Sequence, residues 1–356
     1  MSKTRIPLQP GASAAGAALP PSPRGQPAKR VRRAQPWLPL VFAGGLALGW
    51  AGHAQRQSAA PGQIADQQTP QLLRQPRQGL AHPLLACEGR SDDPATAGLR
   101  AEVGQLIAAA KAAGKVSQVS VIYQDLEMCR GFSIEPDQLF RPASLLKLPL
   151  AMAVLQRASH DPAVLQRELP FAGPTQREDA GPRSLTAGQS YAVRELLDRM
   201  IRWSRNDAKA LLAELVGDAE LRNVYKSLDV PWPYGEGALD AAMSGRHIAR
   251  ILRTLYDASW LDGASSDLLL QLLAESEHRA ALPSGVPAGV KVSHKWGHRL
   301  VPGAEERHHF HDCGILHLPE RPLLLCVLTE GRREPDLHAL IGQIARVVVA
   351  DSQRPH

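Results

Sequence analysis

The sequence predicts an α+β fold: an antiparallel sheet covered by the chain's terminal helices, with a separate helical lobe. Three observations predict it. Alternating, strand-like stretches occur early ("SQVSVIYQDL", "CRGFSI") and return late ("VKVSHKWGHR", "HHFHDCGILHL", "RPLLLCVLTEG"). The stretch between them, from about residue 140 to 280, reads as largely helical. Helical periodicity also brackets the whole block. Leu99, Val103, Leu106, Ile107 and Ala110 recur before it, and Leu337, Leu340, Ile341, Ile344 and Val348 after it.

Three segments precede the folded body. Residues 1–36 are rich in Pro, Ala, Gly and Arg and hold seven basic side chains and no acid, as expected of a disordered tail. The formal charge of the 356-residue chain, +6, belongs to this tail, since the remainder carries 34 basic against 35 acidic residues. A neutral body argues against nucleic-acid binding. Residues 37–53 contain the uncharged run "WLPLVFAGGLALGWAG" with a Trp near each end. Basic residues before it and none within predict a signal anchor with its N-terminus in the cytoplasm. The small-x-small triplet Gly52-His53-Ala54 offers cleavage as the alternative. Residues 54–92, with eight glutamines between Gln55 and Gln78 and scattered prolines, read as a tether. By either route, the chain beyond Gly52 is exported. That compartment suits four cysteines without a C-x-x-C pair, and so two disulfides.

The body runs from 93 to 351. Asp93 is a helix cap, Pro94 fits the first helical position, and Gly114 stops the helix. In the last hairpin, a two-residue loop at Pro319-Glu320 sets Cys313 directly opposite Cys326, and a four-residue loop makes them diagonal neighbours. Both allow a disulfide, which leaves Cys87 with Cys129. His309, His311 and Cys313 share a strand face by period two. They are expected as exposed strand residues rather than metal ligands, and no cofactor is expected. A site would lie between sheet and lobe.

"RPASLLKLPLAMAVL" places Ser144 and Lys147 three apart in an otherwise apolar stretch. On a helix they share a face. Burial penalises an ammonium, so a neutral amine becomes accessible beside a hydroxyl: a general base beside a nucleophile. The helix start supplies free N–H groups for a developing oxyanion. "RWSRNDAKALL" puts Ser204 and Asn206 in a polar turn between two amphipathic helices. "VSHKWGHR" puts Lys295, Trp296 and Gly297 on a late strand, where a cation faces the cleft and glycine allows close approach.

Together, Ser144-x-x-Lys147, then Ser204-Arg205-Asn206, then Lys295-Trp296-Gly297 resemble the penicillin-recognising serine enzymes, nearest to class A β-lactamases. The resemblance spans roughly residues 95–351. It implies a β-lactamase/transpeptidase-like fold, with a five-stranded antiparallel sheet and a helical domain inserted between strands two and three. It implies Ser144 as the acylated nucleophile, Lys147 as its base and Ser204 as proton shuttle. Asn206 would hydrogen-bond Lys147 and substrate, Lys295 would draw a substrate carboxylate, and the N–H groups of Ser144 and His298 would form the oxyanion hole. Arg205 stands where the family has Asp, at a position that often faces away from the substrate. Trp296 stands where the family has a hydroxyl residue. The family's Glu-x-x-x-Asn loop is absent, leaving Asp229, Glu236 and Asp240 as candidate deacylating acids. The expectation is an exported, monomeric serine hydrolase that takes a β-lactam or a peptidoglycan stem peptide and deacylates slowly. The alternatives are a D,D-peptidase, a non-turnover penicillin-binding or receptor protein, and a glutaminase.

Overall fold

Strand alternation partitions the apolar residues onto two faces, and each face acquires its own helical cover. The computed structural model describes residues 73–74, 79–82, 84–86, 92–173, 181–234, 241–301, 306–319 and 321–354. Five strands form the sheet: β1 (Gln118–Asp125), β2 (Arg130–Ile134), β3 (Val292–Val301), β4 (Arg307–Leu316) and β5 (Leu323–Gly331). Their order is β2-β1-β5-β4-β3, with every pair antiparallel.

One face carries Val119, Val121, Tyr123, Phe310, Leu325 and Val327. It packs against α1 (Ala97–Ala112) and α8 (Glu334–Ser352), the terminal helices. The other face carries Ile122, Cys313, Ile315, Leu324, Cys326 and Leu328 and belongs to the core of the lobe. With both faces covered, β5 is buried at all nine positions. This explains why its sequence reads as a continuous apolar run rather than an alternating one. The stripe on α8 is buried as its spacing predicts. Each such side chain contributes roughly 1.5–3 kcal/mol on burial, which outweighs helix propensity.

The lobe occupies the chain between β2 and β3. It holds α2 (Lys147–His160), α3 (Val193–Arg202), α4 (Asn206–Val216), α5 (Asp218–Ser227), α6 (Gly245–Tyr256) and α7 (Gly263–Ala274). Asp93 does cap, but onto a short 3₁₀ turn, Pro94–Thr96, that precedes α1. Cys313 pairs directly with Cys326 and is disulfide-bonded to it, although β4 ends at Leu316 and β5 starts at Leu323, so the hairpin loop is longer than expected. Register, rather than loop length, decides the pairing. Cys129 is also disulfide-bonded, and its expected partner Cys87 lies outside the described residues.

So do the basic tail, the apolar segment 37–53 and most of the tether. No helix among the described residues is long and apolar enough to cross a membrane. One part of the expected tether is docked on the lobe. Ala81 is fully buried, His82 N–H donates to Tyr256 O (2.9 Å), and Leu80 N–H donates to Asp267 Oδ1.

Candidate active site

The serine–lysine pair forms by a tighter turn than an α-helix. Ser144 lies in a 3₁₀ turn, Ala143–Leu146, and α2 begins only at Lys147. At three residues per turn, positions i and i+3 eclipse, which brings the hydroxyl over the amine. Pro149 follows as the third residue of α2, where an N–H would have no intrahelical acceptor.

Lys147 is buried, with 2% of its surface exposed. Its Nζ lies 2.9 Å from Ser144 Oγ, 3.1 Å from Ser204 Oγ, 2.6 Å from Ser204 O and 2.8 Å from Asn206 Oδ1. The turn between α3 and α4 supplies the last three contacts. Ser204 adopts φ 56°, a left-handed conformation that costs a non-glycine residue on the order of 1–3 kcal/mol. That conformation goes with both its oxygens meeting the amine. Ala143, beside Ser144, is also left-handed (φ 49°).

Gly297 sits against the serine turn. A Cβ there would come 2.7 Å from Pro142 O and 3.1 Å from Ser144 N. Only glycine lets strand β3 approach this closely, and the next residue, His298, lines the cavity with Ser144, Lys147 and Asn206. The cavity measures about 270 Å³ and is also lined by Arg141, Lys209, Tyr234 and Arg299. A larger hollow of about 640 Å³ opens elsewhere, beside α2 and α5. Its serine, Ser227, is bound to Val224 O and Trp260 Nε1, so the nucleophile–base geometry belongs to the smaller one.

Three motif residues are placed differently from expectation. Trp296 is turned away from the cavity. Strand alternation sends it to the terminal-helix face, stacked on Phe310 and against His278, whose imidazole burial holds down at about 4. Lys295 shares the lobe-side face with Gly297 but is wholly buried and is not part of the lining. Its ammonium donates to Trp296 O (3.1 Å), and burial, opposed by Asp312, pushes its pKa down to about 7. Asp229 points to solvent, 92% exposed and paired with Arg250, away from the cavity. Glu236 and Asp240 lie outside the described residues. Among the described lining residues none is an acid.

Arg205 turns away as expected. It pairs with buried Asp207, whose carboxylate also accepts from Leu185 N and Ala208 N. Those bonds hold the carboxyl below its ordinary pKa against the cost of burial. His309 and His311 are buried rather than exposed. His311 Nε2–H donates to Arg141 O (2.9 Å), and its Nδ1 accepts from Thr329 N–H (3.2 Å). Burial drives its pKa to about 3, so the imidazole stays neutral while it anchors the backbone leading to Ser144. Sequence reading missed this role, although period-two counting already placed His311 on one face with Cys313. The same counting from Gly297 reaches Arg299, and helical spacing from Asn206 reaches Lys209. Tyr234 carried no such signal.

A sequence model described as the "Beta-lactamase enzyme family" matches residues 99–351. The chain belongs to this family. As a member, it is a serine hydrolase with an α+β fold of the β-lactamase/transpeptidase type. Solved structures agree in fold. A β-lactamase from Chitinophaga pinensis is similar with TM-score 0.62 at 22% identity, over 72% of this chain and 100% of that one. PBP-A is similar with TM-score 0.63 at 21% identity, over 74% and 98%. A class A β-lactamase from Mycobacterium abscessus is similar with TM-score 0.62 at 23% identity, over 72% and 100%. No curated protein matches the chain.

Proposed function

We propose that this serine hydrolase is acylated at Ser144 by a β-lactam or a D-Ala-D-Ala-type amide, and that the acyl-enzyme is released slowly. The observation that carries the proposal is the set of contacts around Lys147. A neutral amine has two N–H groups and one lone pair. Ser204 O and Asn206 Oδ1 are acceptors and occupy both N–H groups, which leaves the lone pair for the Ser144 hydroxyl.

In this reading Ser144 Oγ attacks the carbonyl as its proton passes to Lys147 Nζ. The N–H groups of Ser144 and His298 receive the oxyanion. The departing nitrogen takes a proton from Ser204 Oγ–H, which is replenished from Lys147, and the C–N bond breaks to leave an ester on Ser144. Water then cleaves the ester. Arg141, Lys209 and Arg299 in the lining supply positive charge for a substrate carboxylate, with Lys295 behind them. The shortage of acids in the described lining supports slow deacylation. So does the likeness to PBP-A, one structure of which is an acyl-enzyme complex with penicillin G. That shortage also favours the second reading, a D,D-peptidase acting on peptidoglycan stem peptides.

The test is a pre-steady-state assay with a chromogenic β-lactam, alongside D-Ala release from a stem peptide. One equivalent of β-lactam should open in a burst, with slow turnover after it. Steady fast turnover without a burst contradicts slow deacylation, and no reaction with either substrate contradicts the proposal. We further propose that residues 37–53 anchor a monomeric catalytic domain to the inner membrane, facing the periplasm, with secretion after cleavage as the alternative. A reporter fused after residue 60 would be active outside the cytoplasm if this is right.

A further inference from the structure

The chain is histidine-rich on its last strands, and the serine chemistry uses little of that. His309 and His311 are consumed by contacts with Glu330, Arg141 and Thr329, and Cys313 by its disulfide. On the opposite face of the same strands, a second group converges. His298 Nε2 lies 3.0 Å from His308 Nδ1 and 3.5 Å from Glu334 Oε2. All three ligand atoms fall within 4.8 Å of one another, and all three residues are half-buried.

We propose that His298, His308 and Glu334 bind a divalent transition-metal ion of the zinc type. Zinc takes imidazole nitrogen at about 2.0–2.1 Å and carboxylate oxygen at about 2.0–2.2 Å, in tetrahedral geometry. Arms of that length set ligand atoms roughly 3.3–3.5 Å apart, and two of the three edges already have nearly that length. Two imidazoles and one carboxylate are a borderline donor set that suits zinc, cobalt or nickel over calcium or magnesium. Half-burial leaves a path to solvent and a fourth position for water.

The support around the ligands fits as well. His298 and His308 stand on the hydrogen-bonded strands β3 and β4, with their rings stacked at 11°. Glu334 is the first residue of α8. Its other oxygen, Oε1, lies 3.2 Å from His338 Nε2, one turn along the helix, as a ligating carboxylate's outer partner would. The site does not depend on the acyl-enzyme reading, because it uses only side chains on the far face of the sheet.

The test uses the full chain, stripped with a chelator and then titrated with Zn²⁺ by calorimetry and with Co²⁺ by visible absorption. One equivalent should bind, and Co²⁺ should give the intense absorption of a tetrahedral site. His308→Ala and Glu334→Gln should each weaken binding by more than about 100-fold. His338→Ala should weaken it by roughly 10–100-fold as an outer partner. Glu334→Gln is isosteric at a half-exposed helix start, so its circular dichroism should match wild type and the loss be attributable to the ligand. Absence of binding in the micromolar range, or wild-type affinity in both ligand variants, would overturn the site.

Discussion

Lys147 holds the site together at the scale of one residue, because its amine satisfies a backbone oxygen, an amide oxygen and a nucleophile at once. Lys147→Met should therefore do two things. It abolishes acylation, and it strips buried Ser204 O and Asn206 Oδ1 of their donor, at about 1–3 kcal/mol per orphaned group. Thermal melts should show the loss in Lys147→Met but not in Ser144→Ala; equal melts would mean the amine is not structurally engaged. Lys295 makes a pH prediction. Unfolded, it keeps its proton up to about 10.5; folded, it loses it near 7. Between those values the unfolded state binds the extra proton, so stability rises with pH, by at most about 1.4 kcal/mol per unit. Urea melts of wild type and Lys295→Met should diverge with that sign across this window, and parallel curves would contradict it. The Ser-x-x-Lys pair, Ser204 and Asn206 were legible from spacing alone. His311 was not, because nothing in a sequence says which backbone carbonyl a buried imidazole will meet.

At the scale of elements, the site depends on strand β3 touching the serine turn. Gly297→Ala would drive a Cβ into Pro142 O and push the turn away from the His298 backbone. A shift of about 1 Å typically costs on the order of 100-fold in rate. We expect that loss in the acylation rate with little change in fold by circular dichroism; an unimpaired rate would show that the contact does not position the nucleophile. The strands, the Cys313–Cys326 register and the α8 stripe were readable from periodicity. The 3₁₀ turn under Ser144 was not, because a spacing of three satisfies either helix. Trp296 was assigned to the cleft by its place in a motif, whereas strand alternation, available in the same sequence, had put it on the far face.

The whole molecule is two cores sharing one sheet, with the cavity where the lobe meets the edge strand β3. That architecture was legible because strand, helix and strand signals arrive in blocks. The border with the preceding segment was not, since Gln- and Pro-rich composition conceals the few residues that dock. A chain starting at residue 93 lacks buried Ala81 and the hydrogen bonds of Leu80 and His82 to the lobe. It should be less stable than one starting at residue 64 by roughly 1–3 kcal/mol, and equal denaturation midpoints would show the docking to be energetically neutral.

The central claim is that Ser144 is the residue acylated, and intact-mass spectrometry after exposure to benzylpenicillin tests it most directly. Wild type should gain the mass of one opened β-lactam, persisting for minutes and mapping to the peptide that contains Ser144, while Ser144→Ala gains none. An unmodified wild type, or an equal gain in Ser144→Ala, would contradict it.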